Sequence, residues 1–168
     1  MLPEVITRQP KLLTIDTTRV PFVRDALLPG IRVQPLFLDP QNGVWVLRVL
    51  FPPGITLPRH FHTGSVHLWT ISGRWHYVEH PDQPQTAGCY LYEPGGSVHQ
   101  LHTPESNTED TDTFMVVTGC NVNFADDGAF LNIMDAGWIE NMVNQLAADQ
   151  RLGSLEYIHG QGARYAPT

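Results

Sequence analysis

The stretch Gly54-Ile-Thr-Leu-Pro-Arg-His60-Phe-His62-Thr-Gly-Ser-Val-His67-Leu-Trp-Thr-Ile-Ser-Gly73 decides how this chain is read. His60 and His62 stand two residues apart in a strand-like context. Side chains alternate faces along a strand, so both imidazoles leave on the same side, about 6.6 Å apart along the backbone. That geometry suits two ligands of one metal ion. Thr63-Gly64 reads as a tight turn, which lets the next strand return alongside and places His67 to face the same ion. Five residues separate Gly54 from His60, and another five separate His67 from Gly73. A second frame follows: five residues between Gly88 and Pro94, one between Pro94 and Gly96, two between Gly96 and His99. Within it, Pro94-Gly95 fits the central positions of a type II turn, where glycine tolerates positive φ. Of the eight histidines, seven fall between His60 and His102, a concentration that marks this segment as the place where imidazole is used.

Around these frames the chain reads as short strands joined by turns. Val44-Trp-Val-Leu-Arg-Val-Leu-Phe51 alternates cleanly between Asn42-Gly43 and Pro52-Pro53-Gly54, with Trp45, Leu47, Val49 and Phe51 on one face. Further strands are expected from Ile31, over Ser65 to Ser72, Arg74 to Glu79, Cys89 to Tyr92 and Val98 to His102, and as one run from Phe114 to Phe124. Asp126-Asp127-Gly128 reads as a hairpin turn. Trp45, Phe51, Trp69, Trp75 and Tyr77 are expected inside. A helical period occurs once, in Ile139, Met142, Val143, Leu146 and Ala147, with Asp135 at the N-cap position and Gly153 past the end, so a helix is expected over about 136–150. The 168 residues, 42% hydrophobic and 16% charged, suit one domain over 1–168. A net charge of -7 argues against nucleic-acid or anionic-membrane partners. Cys89 and Cys120 read as free thiols. With no secretory pattern and no membrane-length apolar run, a cytoplasmic protein is expected.

The two frames resemble the paired motifs of the cupin superfamily. That resemblance implies an all-β, cupin-type small β-barrel (a double-stranded β-helix or jelly roll), with metal-binding motifs at 54–73 and 88–99 and the C-terminal helix appended. Carried over by position, the superfamily's HxH ligands are His60 and His62, its last histidine ligand is His99, and its usual glutamate is replaced by His67. The stretches Leu36-Phe-Leu-Asp-Pro40, Ser72-Gly-Arg-Trp-His-Tyr-Val-Glu79, Tyr90-Leu-Tyr-Glu-Pro94 and Asn121-Val-Asn-Phe-Ala-Asp-Asp-Gly128 extend the likeness to the 2,4'-dihydroxyacetophenone dioxygenase family, and more distantly to an acetylacetone-cleaving dioxygenase. The resemblance implies a non-haem Fe(II) dioxygenase that uses O2 to split an enolisable, aryl α-hydroxyketone into a carboxylate and formate. Zinc, nickel or manganese are further metals that the same donors accept. Glu79 is the expected proton acceptor, with Glu93 the other carboxylate in reach. Arg48, Arg59 and Arg74 are candidates for holding an anionic product. His76, His80, His102 and His159 are expected to stand outside the site. A homodimer or homotetramer, paired through the segment from Leu12 to Val23, completes the expectation. The rival readings are a non-catalytic metal-binding sensor or small-ligand binder, closed by four protein ligands, and a metal-dependent isomerase or hydrolase that needs no oxygen.

Overall fold

In the computed structural model, which describes residues 12–160, the strands are β1 (Val23–Arg24), β2 (Arg32–Asp39), β3 (Val44–Phe51), β4 (Arg59–His62), β5 (Val66–Ser72), β6 (Arg74–Tyr77), β7 (His80–Thr86), β8 (Tyr90–Glu93), β9 (Leu101–His102), β10 (Thr111–Thr118), β11 (Asn121–Phe124), β12 (Phe130–Met134) and, after the helix α1 (Ala136–Asp149), β13 (Ile158–His159). They form a seven-stranded sheet in the order β1-β2-β3-β10-β5-β8, with β13 paired to β2, and two three-stranded sheets, β12-β11-β4 and β7-β6-β9. All pairs are antiparallel except β13 with β2. The mostly-β layout with one C-terminal helix is the expected one. The sheets are not closed into a continuous barrel, however: β4 meets the His99 segment through an isolated bridge, which links two open sheets.

The core follows from two-residue alternation. In β3, Trp45, Leu47, Val49 and Phe51 are each about 1% exposed, as the sequence pattern predicts. Burial of each such side chain contributes about 1.5–3 kcal/mol. In β5 the inward set is Val66, Leu68 and Thr70, so His67 and Trp69 fall on the outer face. Trp69, expected inside, is therefore 40% exposed. Trp75 is fully buried, and its indole N–H donates to Thr70 Oγ1 at 2.9 Å.

The expected run from Phe114 to Phe124 is two strands in different sheets. Gly119, at φ +82°, turns the chain between them, and a Cβ there would lie 2.3 Å from Thr63 Oγ1 and 3.0 Å from the Gly64 nitrogen. Glycine is required by close approach and by the left-handed backbone together. β7 escaped the sequence reading because His80–Thr86 is polar, carries two prolines and lies along an outer edge. The segment expected to pair subunits contains, among its described residues, a turn near Thr17–Arg19 and only the first residue of the two-residue β1. Cys89 and Cys120 are free thiols. No helix among the described residues is long and apolar enough to cross a membrane.

Helix α1 starts where its cap predicts, with Asp135 Oδ1 accepting from the Trp138 amide at 2.7 Å. Its buried stripe is Ala136, Ile139, Val143 and Ala147. At its end, Arg151 enters the left-handed region two residues ahead of Gly153. In urea unfolding followed by circular dichroism, Asp135→Ala is expected to cost about 1 kcal/mol through the lost cap. Ile139→Ala is expected to cost about 2–5 kcal/mol through the cavity it leaves.

Candidate metal centre

Strand β4 supplies the first two imidazoles. His60 and His62 share its inner face, 5% and 6% exposed, while Phe61 between them stacks against Phe124 at 6.0 Å. His99 arrives from the other side. Its amide donates to His60 O at 2.9 Å and its carbonyl accepts from His60 N at 3.0 Å, a narrow antiparallel pair that sets the two side chains next to each other. The preceding turn runs from Pro94 to Ser97 with positive φ at Gly96, one residue later than the sequence suggests. One nitrogen from each of His60, His62 and His99 lies within 4.8 Å of the other two.

The rings are held for this purpose. His60 Nδ1 donates to the Pro58 carbonyl at 2.8 Å, which fixes the tautomer and leaves Nε2 free as a ligand. Burial, with the neighbouring imidazoles adding to it, pushes His62 down to about 2 and His99 down to about 3, and burial also lowers His60. All three are neutral near pH 7, the form that carries a lone pair for a cation.

The carboxylate of the site is Glu93. It ends β8 opposite Val66, is 5% exposed, and places Oε2 3.3 Å from His62 Nε2 and 3.2 Å from His99 Nε2. Tyr77 donates its hydroxyl to Glu93 Oε1. Burial pushes Glu93 up to about 7 against the opposing pull of that hydrogen bond, and burial beside this carboxylate raises Tyr77 well above the ordinary phenol range. His99 Nε2 and Glu93 Oε2 are buried without a hydrogen-bond partner. Such orphaned atoms are costly unless something else satisfies them. Three imidazole nitrogens and a carboxylate around one point fit a divalent transition metal, so the residues present suit the group.

Two sequence-predicted site residues lie elsewhere. His67 is on the outer face of β5, hydrogen-bonded through Nδ1 to Tyr90 OH at 2.7 Å and ringed by Trp69, Tyr90 and Tyr92. Strand parity takes it away from the cluster, and the negative charge its substitution for glutamate would remove is supplied by Glu93. Glu79 is exposed and accepts from the Gln100 amide at 3.0 Å. It acts on His60 through its charge but does not line the cavity. Arg48 is forked onto Asp112, at 3.0 and 2.6 Å, and Arg59 and Arg74 are exposed. His76 and His102 face each other at 5.1 Å, His80 is exposed, and His159 sits 3.3 Å from Glu140.

A cavity of about 50 Å³ opens on the three imidazoles and Glu93, with apolar walls from Leu47, Val49, Phe51, Leu68 and Met115. A second, of about 70 Å³, adjoins it and shares His60, Asn121 and Met134.

Comparison with known proteins places this geometry. The model of the ChrR cupin-like domain family matches residues 10–121. Among solved structures, a protein of unknown function with a cupin-like fold from Ralstonia eutropha JMP134 is similar at 52% identity and a TM-score of 0.89, over 96% of this chain and 100% of that one. An RmlC-like cupin protein from the same organism aligns at 24% identity and a TM-score of 0.76, over 83% of this chain and 88% of that one. An acetylacetone dioxygenase from Acinetobacter johnsonii aligns at 16% identity and 0.68, over 86% and 98% respectively, a likeness of fold. No curated protein matches the sequence.

Two outcomes follow for the metal. By metal analysis after dialysis, His60→Ala, His62→Ala and His99→Ala are each expected to lose stoichiometric divalent-metal binding, whereas His67→Ala keeps it. Affinity is expected to rise roughly tenfold per pH unit from 6 towards 7, as Glu93 loses its proton, and Glu93→Gln is expected to flatten that slope. For the metal-free protein the histidine shifts favour the fold above pH 6.5 and are lost on acidification, while the raised Glu93 works the other way between 4.5 and about 7. Histidines outnumber the glutamate, so the urea midpoint is expected to fall between pH 6.5 and 4.5.

Proposed function

The chain belongs to the ChrR cupin-like domain family, and from that premise we propose that it is a non-haem Fe(II)-dependent dioxygenase acting on a small enolisable α-hydroxyketone. The reaction takes one ketone R–CO–CH2OH and one O2 to R–COOH and HCOOH. The bond between the carbonyl carbon and the hydroxymethyl carbon breaks, and both oxygen atoms of O2 enter the products. The observation that carries this reading is the convergence of three buried imidazoles and one buried carboxyl, Glu93, at the end of an apolar cavity.

His60, His62 and His99 would hold the ion. When bound, ferrous iron supplies Lewis acidity toward the ketone oxygens and the redox partner for O2. The chain's own residues do the rest. Glu93 Oε2 is turned toward the imidazoles while Oε1 is fixed by Tyr77, so the carboxylate is placed to take the substrate proton at Oε2. Leu47, Val49, Phe51, Leu68 and Met115 exclude water and receive the apolar part of the substrate.

Oxygen-electrode assays of Fe(II)-loaded protein against α-hydroxyketones and β-diketones test the proposal. One O2 consumed and one formate released per hydroxyketone is the expected result, with no turnover under nitrogen or after Zn(II) loading. Glu93→Gln is expected to lower kcat by about 10²–10⁴-fold. Turnover without oxygen would assign an isomerase or hydrolase instead. Tight ketone binding with no turnover would assign a non-catalytic binder.

A further inference from the structure

The loop joining β1 to β2 puts a strained leucine beside the imidazoles. Leu27 stands at φ +69°, in the left-handed region that a bulky apolar residue avoids. The Leu28 amide donates to the Ala26 carbonyl at 2.8 Å, which closes a three-residue turn around Leu27. Such turns with positive φ at the centre are rare and strained. Asp25, at φ +57°, is left-handed too, but aspartate tolerates that region, and its Oδ1 accepts from the Gly30 amide at 2.8 Å. Backbone strain of this kind persists only where the surroundings hold it, and it gathers where a site makes use of it.

The turn fixes where the half-buried Leu27 side chain goes. It lines both the metal cavity of about 50 Å³ and the adjoining one of about 70 Å³. Leu57, His60, Asn121 and Met134 are the other residues common to the two. Those four are tied to neighbouring elements. The Leu57 amide donates to the Leu101 carbonyl at 2.9 Å, His60 exchanges backbone bonds with His99, and Asn121 is the register partner of Met134. The hydrogen bonds of the Leu27 loop instead close on the loop itself: Ala26 to Ile31, Ile31 to Leu28 and Gly30 to Asp25. Leu27 is therefore the part of the shared wall that moves without breaking a bond to another element. The adjoining cavity reaches the surface at Asn132 and Trp138, both exposed. Each of the two cavities is smaller than the roughly 150 Å³ that holds a benzene ring, so a ring reaches the ion only when the wall between them gives. A cavity of about 140 Å³ on the opposite side shares Tyr77, Glu93 and His99 with the metal cavity, and there the hydrogen bond from Tyr77 to Glu93 holds the wall in place.

We propose that Leu27 is a gate that selects, by size, what passes from the surface to the metal centre. In the turn described here it closes the passage, and relaxation of its backbone out of the left-handed region carries the side chain aside. Opening releases the strain and gives up the packing of Leu27 against the core. These are opposing effects of similar size, so the closed and open turns lie close in free energy. Ligands of a few atoms pass the closed turn, and larger ones wait for the open one. The gate concerns access alone and does not depend on which reaction the ion performs.

Stopped-flow absorption of the Co(II)-loaded protein reads access directly, because the visible bands of the ion change when a ligand joins it. Acetohydroxamate and benzohydroxamate carry the same chelating head and differ by a ring. Wild type is expected to bind benzohydroxamate about tenfold more slowly than acetohydroxamate. Leu27→Ala is expected to raise the benzohydroxamate rate about tenfold and to leave the acetohydroxamate rate within about twofold. Unchanged Co(II) bands before ligand is added report an intact centre. Leu27→Gly is expected to act alike on the rates, and its urea midpoint to lie above that of Leu27→Ala, since glycine accepts positive φ. His80→Trp, in the wall of the 140 Å³ cavity, is expected to change neither rate. The proposal is overturned by equal rates for the two probes in wild type, by an unchanged ratio in both Leu27 variants, by a midpoint for Leu27→Ala above that of Leu27→Gly, by slowing in His80→Trp, or by a wild type that takes up no Co(II). Oxygen uptake by Fe(II)-loaded protein separates the two readings: uptake with rates indifferent to Leu27 sinks the gate alone, and gated rates without uptake sink the dioxygenase alone.

Discussion

The site depends on one narrow antiparallel pair, the exchange of both backbone hydrogen bonds between His60 and His99. These two bonds join strand β4, which belongs to one open sheet, to the segment that leads into β9 of another. They set the facing side chains on the same side, and the two-residue period then brings His62 to that side as well. If the register slipped by one residue, Phe61 would take the place of the imidazoles and the apolar face of β4 would point at Glu93.

Burial does the chemical work on these groups. Without a metal ion, removing water from the imidazoles strips their protons, and removing it from Glu93 raises that carboxyl to about 7, so the site accumulates little net charge. What it holds instead is unpaired lone pairs, at His99 Nε2 and Glu93 Oε2. The interior thereby stays tolerable to the fold and attractive to a cation. Tyr77, wedged against His99 at 4.4 Å between ring centroids and donating to Glu93, ties the imidazoles and the carboxylate into one unit.

His60 and His62 are legible in the sequence because HxH on a strand sends both rings to one face, and His99 through the likeness of its glycine and proline punctuation to the second cupin frame. His67 misleads for a physical reason. After the Thr63-Gly64 turn, both faces of β5 are rich in bulky side chains, Val66 and Leu68 inward, Trp69 and Ile71 outward, so apolarity cannot tell which parity faces the core. Glu93 stands behind Glu79 as a candidate in the sequence, and the pairing of β8 with β5, where it lies opposite the inward Val66, is what singles it out. The break at Gly119 is likewise a matter of space: its neighbour Gly64 is 55 residues away in sequence, and the lack of room for a side chain appears only after the two backbones meet. The break at Gly119 and the choice of Glu93 are settled by long-range pairing, whereas β3 and α1 follow from a local period and a cap.

The strand that carries Asn132 is the border of its sheet and owes nothing to the metal ligands for its place. A border strand tolerates new side chains with small effects on folding, so the part of the cavity wall that Asn132 contributes can be remodelled in descendants while the three imidazoles are inherited untouched.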